Sequence, residues 1–294
     1  MKRLAIIALA LATAGAGAFL WLTAPQRIDA ALVTGLTGDA TRGQQVFHIG
    51  GCASCHAPQG TEGEARLALG GGERFETPFG VFVAPNVSPG PEGIGGWSAV
   101  DFANAMQAGV APDGRHYYPA FPYASYARMT PQDVVDLKAY MDGLPMHPAQ
   151  NQPHELRFPF NIRRGLGLWK RAHLSDAPVI AVEETLERGR YLVEGPGHCA
   201  ECHTPRDFTG GLDKARWMGG APNPEGKGRI PNITPGALKW SAADIAEYLK
   251  SGFTPDYDSA GGSMAKVIRN TSLLSDDDRN AIAAYLKALP PIAE

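Results

Sequence analysis

The chain has 294 residues and a formal net charge of −3, with 27 Lys and Arg against 30 Asp and Glu. That balance offers no broad basic surface, so it points to neither nucleic acid nor acidic lipid as a partner of the whole chain. Hydrophobic residues make up 44%, which excludes disorder. The 35 Gly and 24 Pro suit small helical domains tied together by long ordered loops, and the length suggests about two of them.

The chain opens on Met1-Lys2-Arg3 and then runs from Leu4 to Leu22 without a charge. As a helix this run spans roughly 28 Å, about one hydrocarbon core. A cleaved signal peptide would use Ala16-Gly17-Ala18 as its cleavage site. It would leave Phe19, Leu20, Trp21 and Leu22 on the mature N-terminus. An uncleaved anchor over residues 1–24, with Trp21 at the interface, is therefore favoured. The basic start sends the rest of the chain out of the cytoplasm.

Residues 37–146 form a first unit. A short helix is expected near 39–50, followed by Cys52-Ala53-Ser54-Cys55-His56 and a Gly/Pro-rich loop over 57–96. Ser98 with Asp101 approximates a capping box, and Thr130-Pro131 opens a helix whose Val134, Leu137, Tyr140 and Met141 recur at helical spacing. Residues 147–183 read as an interdomain linker. Its apolar side chains and its Arg163, Arg164, Lys170 and Arg171 suggest a segment that adheres to both neighbours. The unit then repeats over 184–292. Arg42-Gly43 returns as Arg188-Gly189, and Pro85-Asn86-Val87-Ser88-Pro89 as Pro231-Asn232-Ile233-Thr234-Pro235. Trp97-Ser98 returns as Trp240-Ser241, and Ser275 with Asp278 answers Thr130 with Asp133. A helix is expected near 185–195, a second loop over 204–239, and a last helix through Ile282, Tyr285, Leu286 and Leu289. A fixed period means one structural unit used twice. Strand alternation is scarce, so the fold class is all-α.

The second motif, Cys199-Ala200-Glu201-Cys202-His203, uses the remaining two of the four cysteines. C-x-x-C-H is the attachment signature of c-type haem. Cysteines three apart share one face of a helical turn and reach both vinyl groups of one porphyrin, and the His then meets the iron. A zinc site would pair two such halves at short separation, and a thioredoxin-like dithiol has no need of the His. Cys52, Cys55, His56, Cys199, Cys202 and His203 are therefore expected to hold two covalent haem c groups.

The second axial position decides the chemistry, because a thioether raises the potential and an empty site admits small molecules. Met264, in the loop Gly261-Gly262-Ser263-Met264, is the candidate in the second unit, and Met218 reads as a packing rival. The corresponding stretch of the first unit, Tyr118-Pro119-Ala120-Phe121-Pro122, has no methionine. Met129 is assigned there, with Met106 and His116 as alternatives.

The two haem motifs, the paired Pro-Asn segments, the stretch at 118–123 and the Gly-Gly-Ser-Met loop resemble those of membrane-anchored class I dihaem cytochromes c. They are similar also to the cytochrome subunits serving periplasmic alcohol, aldehyde and N-heterocycle dehydrogenases. The likeness covers roughly residues 37–290. Some relatives carry Met where this chain has Phe121; others keep Phe and place a Met shortly after, as at Met129. The resemblance implies two tandem class I cytochrome c domains with haem-wrapping loops behind a single transmembrane helix. It implies an electron carrier at the periplasmic face of a bacterial inner membrane, not an enzyme. Its redox partners would be a periplasmic dehydrogenase, other cytochromes or a terminal oxidase. A dihaem peroxidase, with one open haem, is the alternative.

Thioether bonds survive unfolding, so denatured protein should retain both haems. Replacing Cys199 and Cys202 together by Ala should halve the pyridine haemochrome yield per chain; an unchanged yield would remove the second site.

Overall fold

Ser98 and Ser241 each accept a hydrogen bond from the backbone N–H three residues on, at Asp101 and Asp244. The Asp carboxylates in turn accept from the Ser backbone N–H, closing two capping boxes. These caps start the middle helix of each unit in a computed structural model that describes residues 1–224, 226 and 228–293. After helix α1 (Lys2–Leu22), the first unit contains α2 (Ala40–Ile49), α3 (Cys52–His56), α4 (Ala99–Ala108), α5 (Tyr123–Tyr126) and α6 (Pro131–Asp142). Helix α7 (Leu166–His173) lies in the linker. The second unit contains α8 (Glu187–Glu194), α9 (Ala200–His203), α10 (Ala242–Ser251), α11 (Gly262–Thr271) and α12 (Asp276–Ala288).

Each unit is built on one helix crossing, α2 on α6 and α8 on α12. The repeated Arg-Gly pair marks the crossing point. A Cβ on Gly43 would lie 1.9 Å from the Asp136 carbonyl oxygen, and one on Gly189 would lie 2.0 Å from that of Ala281. Only glycine lets the backbones approach so closely. Beside the first crossing, Arg42 donates from Nε to Asp136 at 2.7 Å; in the second unit Arg188 donates to Asp278 at 2.8 Å. Val134, Leu137 and Met141 of α6 are buried, as are Ile282, Tyr285 and Leu286 of α12, in two separate hydrophobic clusters.

Two loops expected to be wholly irregular contain hairpins. Strands β1 (Arg74–Thr77) and β2 (Gly80–Val83) pair antiparallel, and the linker adds β3 (Glu155–Leu156) to β2. Phe75, Val81, Phe82 and Val83 supply strand-forming side chains around a tight turn, and Gly80 adopts φ +126° there. Among the described residues the second unit has only the short pair β4 (Ala221–Pro222) and β5 (Arg229–Ile230). The Gly-Gly-Ser-Met stretch is likewise no loop, because it forms the first turn of α11.

The linker adheres to both units. Lys170 donates to the Ala108 and Gly109 carbonyls at 2.7 and 2.6 Å, capping the C-terminus of α4. His173 meets Thr209 of the second unit at 2.7 Å. The Val179 and Ile180 N–H groups donate to the buried Glu194 carboxylate at 2.7 and 3.1 Å. Tyr285 adds a third donor to it at 2.6 Å, and Arg128 of the first unit approaches within 3.8 Å. Helix α1 has no buried residue and is long and apolar enough to cross a membrane.

Gly43→Ala and Gly189→Ala should each force their crossing apart. Each should cost about 3 kcal/mol of stability through overpacking, measured by chemical denaturation; Gly15→Ala, which meets nothing within 4 Å, is the control.

Candidate haem-binding sites

Gly51, at φ +57°, turns the chain from α2 directly into α3, so that Cys52 and Cys55 fall on one helical turn with His56 closing it. Cys52 lines an apolar crevice with Val46, Met106, Tyr126, Met129 and Leu137. Burial pushes the thiols of Cys52 and Cys199 up to about 12, so both are neutral at ordinary pH. Among the described residues no disulfide links the cysteines, and no group of three or more His, Cys, Asp or Glu converges as a metal cluster. The two motifs are thus not halves of one zinc site.

The histidines are held identically. His56 donates from Nδ1 to the Pro85 carbonyl at 2.8 Å, and His203 from Nδ1 to that of Pro231 at 2.8 Å. This fixes the tautomer and leaves each Nε2 with its lone pair for a metal. Burial lowers both imidazole pKa values, against a smaller opposing effect of the proline carbonyls, so the rings are held neutral.

The paired Pro-Asn segments exist to place those carbonyls. Asn86 is buried, and its Nδ2 donates to the carbonyls of His147 and Ala149 at 2.9 and 2.8 Å. Its Oδ1 accepts from the Ser88 N–H at 2.9 Å. Asn232 does the same with the Ile292 carbonyl at 2.8 Å and the Thr234 N–H at 2.9 Å. In both units the loop is thereby tied to the chain leaving the last helix. The repeat was visible in the sequence; the clamp was not, because its partners are backbone groups about 60 residues away.

The loops also sort the methionines. The N–H of Val87 bonds the Leu69 carbonyl and that of Ile233 bonds the Met218 carbonyl, each at 3.0 Å. Leu69 and Met218 both have positive φ and are fully buried. Met218 is the counterpart of a core leucine. Met264 is half-buried in the first turn of α11, against the cluster that includes Cys199. Met129 and Met106 are buried at 3% and 7% exposure beside Cys52. They take the places of Leu274 and Leu249 of the second unit, so neither sits where Met264 does. Phe121 packs on the same cluster as Met129. His116 is engaged elsewhere, its ring Nε2 donating to the Thr23 carbonyl at 2.9 Å.

The two motifs meet across the domain interface. Ser54, between the first pair of cysteines, accepts from Asn270 of α11 at 2.8 Å. Glu201, between the second pair, accepts from Ser125 of α5 at 3.0 Å. Lys266 of α11 pairs with Glu73 at 3.2 Å, and the Cys55 thiol lies within electrostatic reach of Lys266 and Cys202.

Two thiols on one turn and a neutral imidazole with its Nδ1 engaged occur in both units. An apolar crevice bears sulfur donors in the first, and Met264 packs on the same cluster as Cys199 in the second. These features fit a covalently held haem. The cytochrome c family profile matches residues 40–145 and again 186–290, and the chain belongs to that family. It is 59% identical over 297 residues to a dihaem cytochrome c-type protein of Cereibacter sphaeroides, covering 99% of this chain and all of that one. It is 37% identical over 265 residues to the fructose dehydrogenase cytochrome subunit of Gluconobacter japonicus, covering 86% of this chain and 53% of that protein. It is 36% identical over 272 residues to the cytochrome c subunit of the quinone alcohol dehydrogenase of Gluconobacter oxydans, covering 86% of this chain. The chain thus spans the first of these relatives in full and about half the length of the other two, 53% and 55%. It is a dihaem c-type cytochrome, an electron-transfer protein with two covalent haem c groups. The relatives are named as a dihaem cytochrome and as cytochrome subunits of dehydrogenases, and the peroxidase alternative is set aside on that ground.

Asn86→Ala and Asn232→Ala should leave two half-buried carbonyls or one, respectively, without a donor. The cost should be about 1–3 kcal/mol for each clamp, seen in thermal unfolding of the haem-loaded protein, with both haems still attached.

Proposed function

We propose that the chain carries electrons through two haems in series, from a dehydrogenase at the periplasmic face of the inner membrane to a respiratory cytochrome or oxidase. The observation that carries this reading is the abutment of the two motifs. Ser54 and Glu201, each lying between a pair of haem-motif cysteines, both bond to the opposite unit. A bound haem supplies one-electron exchange between ferrous and ferric iron; the residues fix its position and potential. Cys52, Cys55 and His56 hold the first haem, and Cys199, Cys202 and His203 the second. Met129 and Met264 supply the distal thioethers.

Met129 is favoured over Met106 because it precedes the N-cap of α6 rather than lying within α4, so its backbone is less constrained. Support for a dehydrogenase donor comes from the relatives named as cytochrome subunits of fructose and alcohol dehydrogenases. Support for the location comes from the apolar α1 behind Lys2 and Arg3. An anchor raises the effective concentration of the carrier beside its membrane partners.

Thioether ligation gives a sulfur-to-iron charge-transfer band in the near infrared. Met129→Leu should abolish that band for one haem, lower its potential and let carbon monoxide bind there, leaving the other haem unaltered. If both bands persist, Met129 is not the ligand and Met106 is tested next. Carbon monoxide binding by the unmodified protein would contradict the carrier reading.

A further inference from the structure

The net charge of −3 conceals a local extreme. Residues 156–173 include Arg157, Arg163, Arg164, Lys170 and Arg171 and no Asp or Glu. The same stretch exposes large apolar side chains: Phe158 at 78%, Ile162 at 51%, and Phe160 and Leu168 at 44% each. Neither feature belongs to the haem sites.

The stretch is fastened to the end of α1. Arg164 donates to the Leu20 carbonyl at 2.7 Å and to the Thr23 hydroxyl at 2.9 Å. Arg171 donates to the Leu22 carbonyl at 2.6 Å, and its guanidinium lies 5.6 Å from the centre of the Trp21 ring. Two carbonyls that a helix end leaves without intrahelical partners are thus satisfied by cations. Gly167 lets α7 touch Thr23 directly, since a Cβ there would lie 2.5 Å from the Thr23 Cα. Thr23 is fully buried, whereas Trp21 is 71% exposed.

The exposed apolar side chains lie in the same stretch of chain. Ile162 precedes the two fastening arginines' segment and Leu168 follows Gly167, both within two residues of these contacts. Phe158 and Phe160 lie on a tight turn, closed by the Asn161 N–H on the Arg157 carbonyl at 3.2 Å. That turn is pinned to the first unit, with the Phe160 and Phe79 rings 4.8 Å apart and the Arg157 N–H bonded to the Phe79 carbonyl at 3.0 Å. It is therefore a fixed surface.

We propose that residues 157–171 form a second membrane contact, in which Phe158, Phe160, Ile162 and Leu168 enter the headgroup region of a bilayer and the exposed Arg157 and Arg171 meet its anionic phospholipids. The inference rests on the reading of α1 as a membrane anchor. A bilayer that receives α1 has its interface where Trp21 and the last turn lie, and the patch is continuous with that level. Apolar side chains interspersed with cations match such an interface, and anionic headgroups attract each nearby Arg. With two contacts, the dihaem module stands in one orientation on the membrane and does not swing on a tether.

The test uses the full-length, haem-loaded protein in nanodiscs of phosphatidylcholine with phosphatidylglycerol. Nitroxide labels are placed singly through Phe158→Cys and Ile162→Cys; both positions are exposed, and haem content and spectrum check folding. A third label, Ala10→Cys, reports on α1. Labels at 158 and 162 should be more accessible to oxygen than to an aqueous nickel chelate, with the same sign as the label at 10, and should shift toward water in phosphatidylcholine alone. A lipid-buried label at 10 with water-exposed labels at 158 and 162 would overturn the patch and spare the anchor. A label at 10 that is also in water would overturn both. Equal depth in the two lipid compositions would overturn the role given to the arginines. Labels that leave water only when a dehydrogenase subunit is added would assign the patch to a protein.

Discussion

Each haem site depends on one hydrogen bond, from the Nδ1 of the motif histidine to a proline carbonyl 29 residues further on in the first unit and 28 in the second. It selects the tautomer, sets the ring plane and makes the imidazole a better donor through Nε2. The carbonyl can do this only if the loop that bears it cannot move. The asparagine that follows each proline therefore ties the loop to the chain beyond the last helix, and that helix is locked on the first through a glycine. One donor–acceptor pair thus links both ends of each unit to the position of its iron ligand.

The same economy governs the relation between the units. Glu194 is 1% exposed, yet it gathers two linker N–H groups, the Tyr285 hydroxyl and the approach of Arg128. A buried carboxylate so surrounded costs little, and breaking the set would strand a buried charge. Linker, first unit and second unit consequently share one arrangement, and the haem motifs are brought together through Ser54 and Glu201 by the residues between their own cysteines.

Much of this was legible in the sequence because the features are local. The motifs, the capping residues Ser98 and Ser241, the start at Thr130-Pro131 and the apolar spacing of the last helices are read within a few residues. The internal repeat then identified matching positions without any other chain. The hairpin at 74–83 was missed because its strands are only four residues long and its third strand comes from the linker. Helix α11 was missed because Gly261 and Gly262 read as loop residues and no side-chain cap marks its start. The role of the Pro-Asn repeats was missed for a related reason, since a backbone carbonyl carries no sequence signature. The distal position of the first unit resists reading for a chemical reason: Met106 and Met129 line the same crevice, and either sulfur can serve as packing or as ligand.

Two haems that act in series within one chain exchange electrons inside a single molecule. The most direct measurement is photoreduction of one haem in the full-length protein, followed by the rate at which the electron equilibrates with the other, over a range of protein concentrations. A single rate independent of concentration is expected, because the donor and acceptor motifs meet within one molecule. A rate that rises in proportion to concentration would show that electrons pass between molecules and would contradict it.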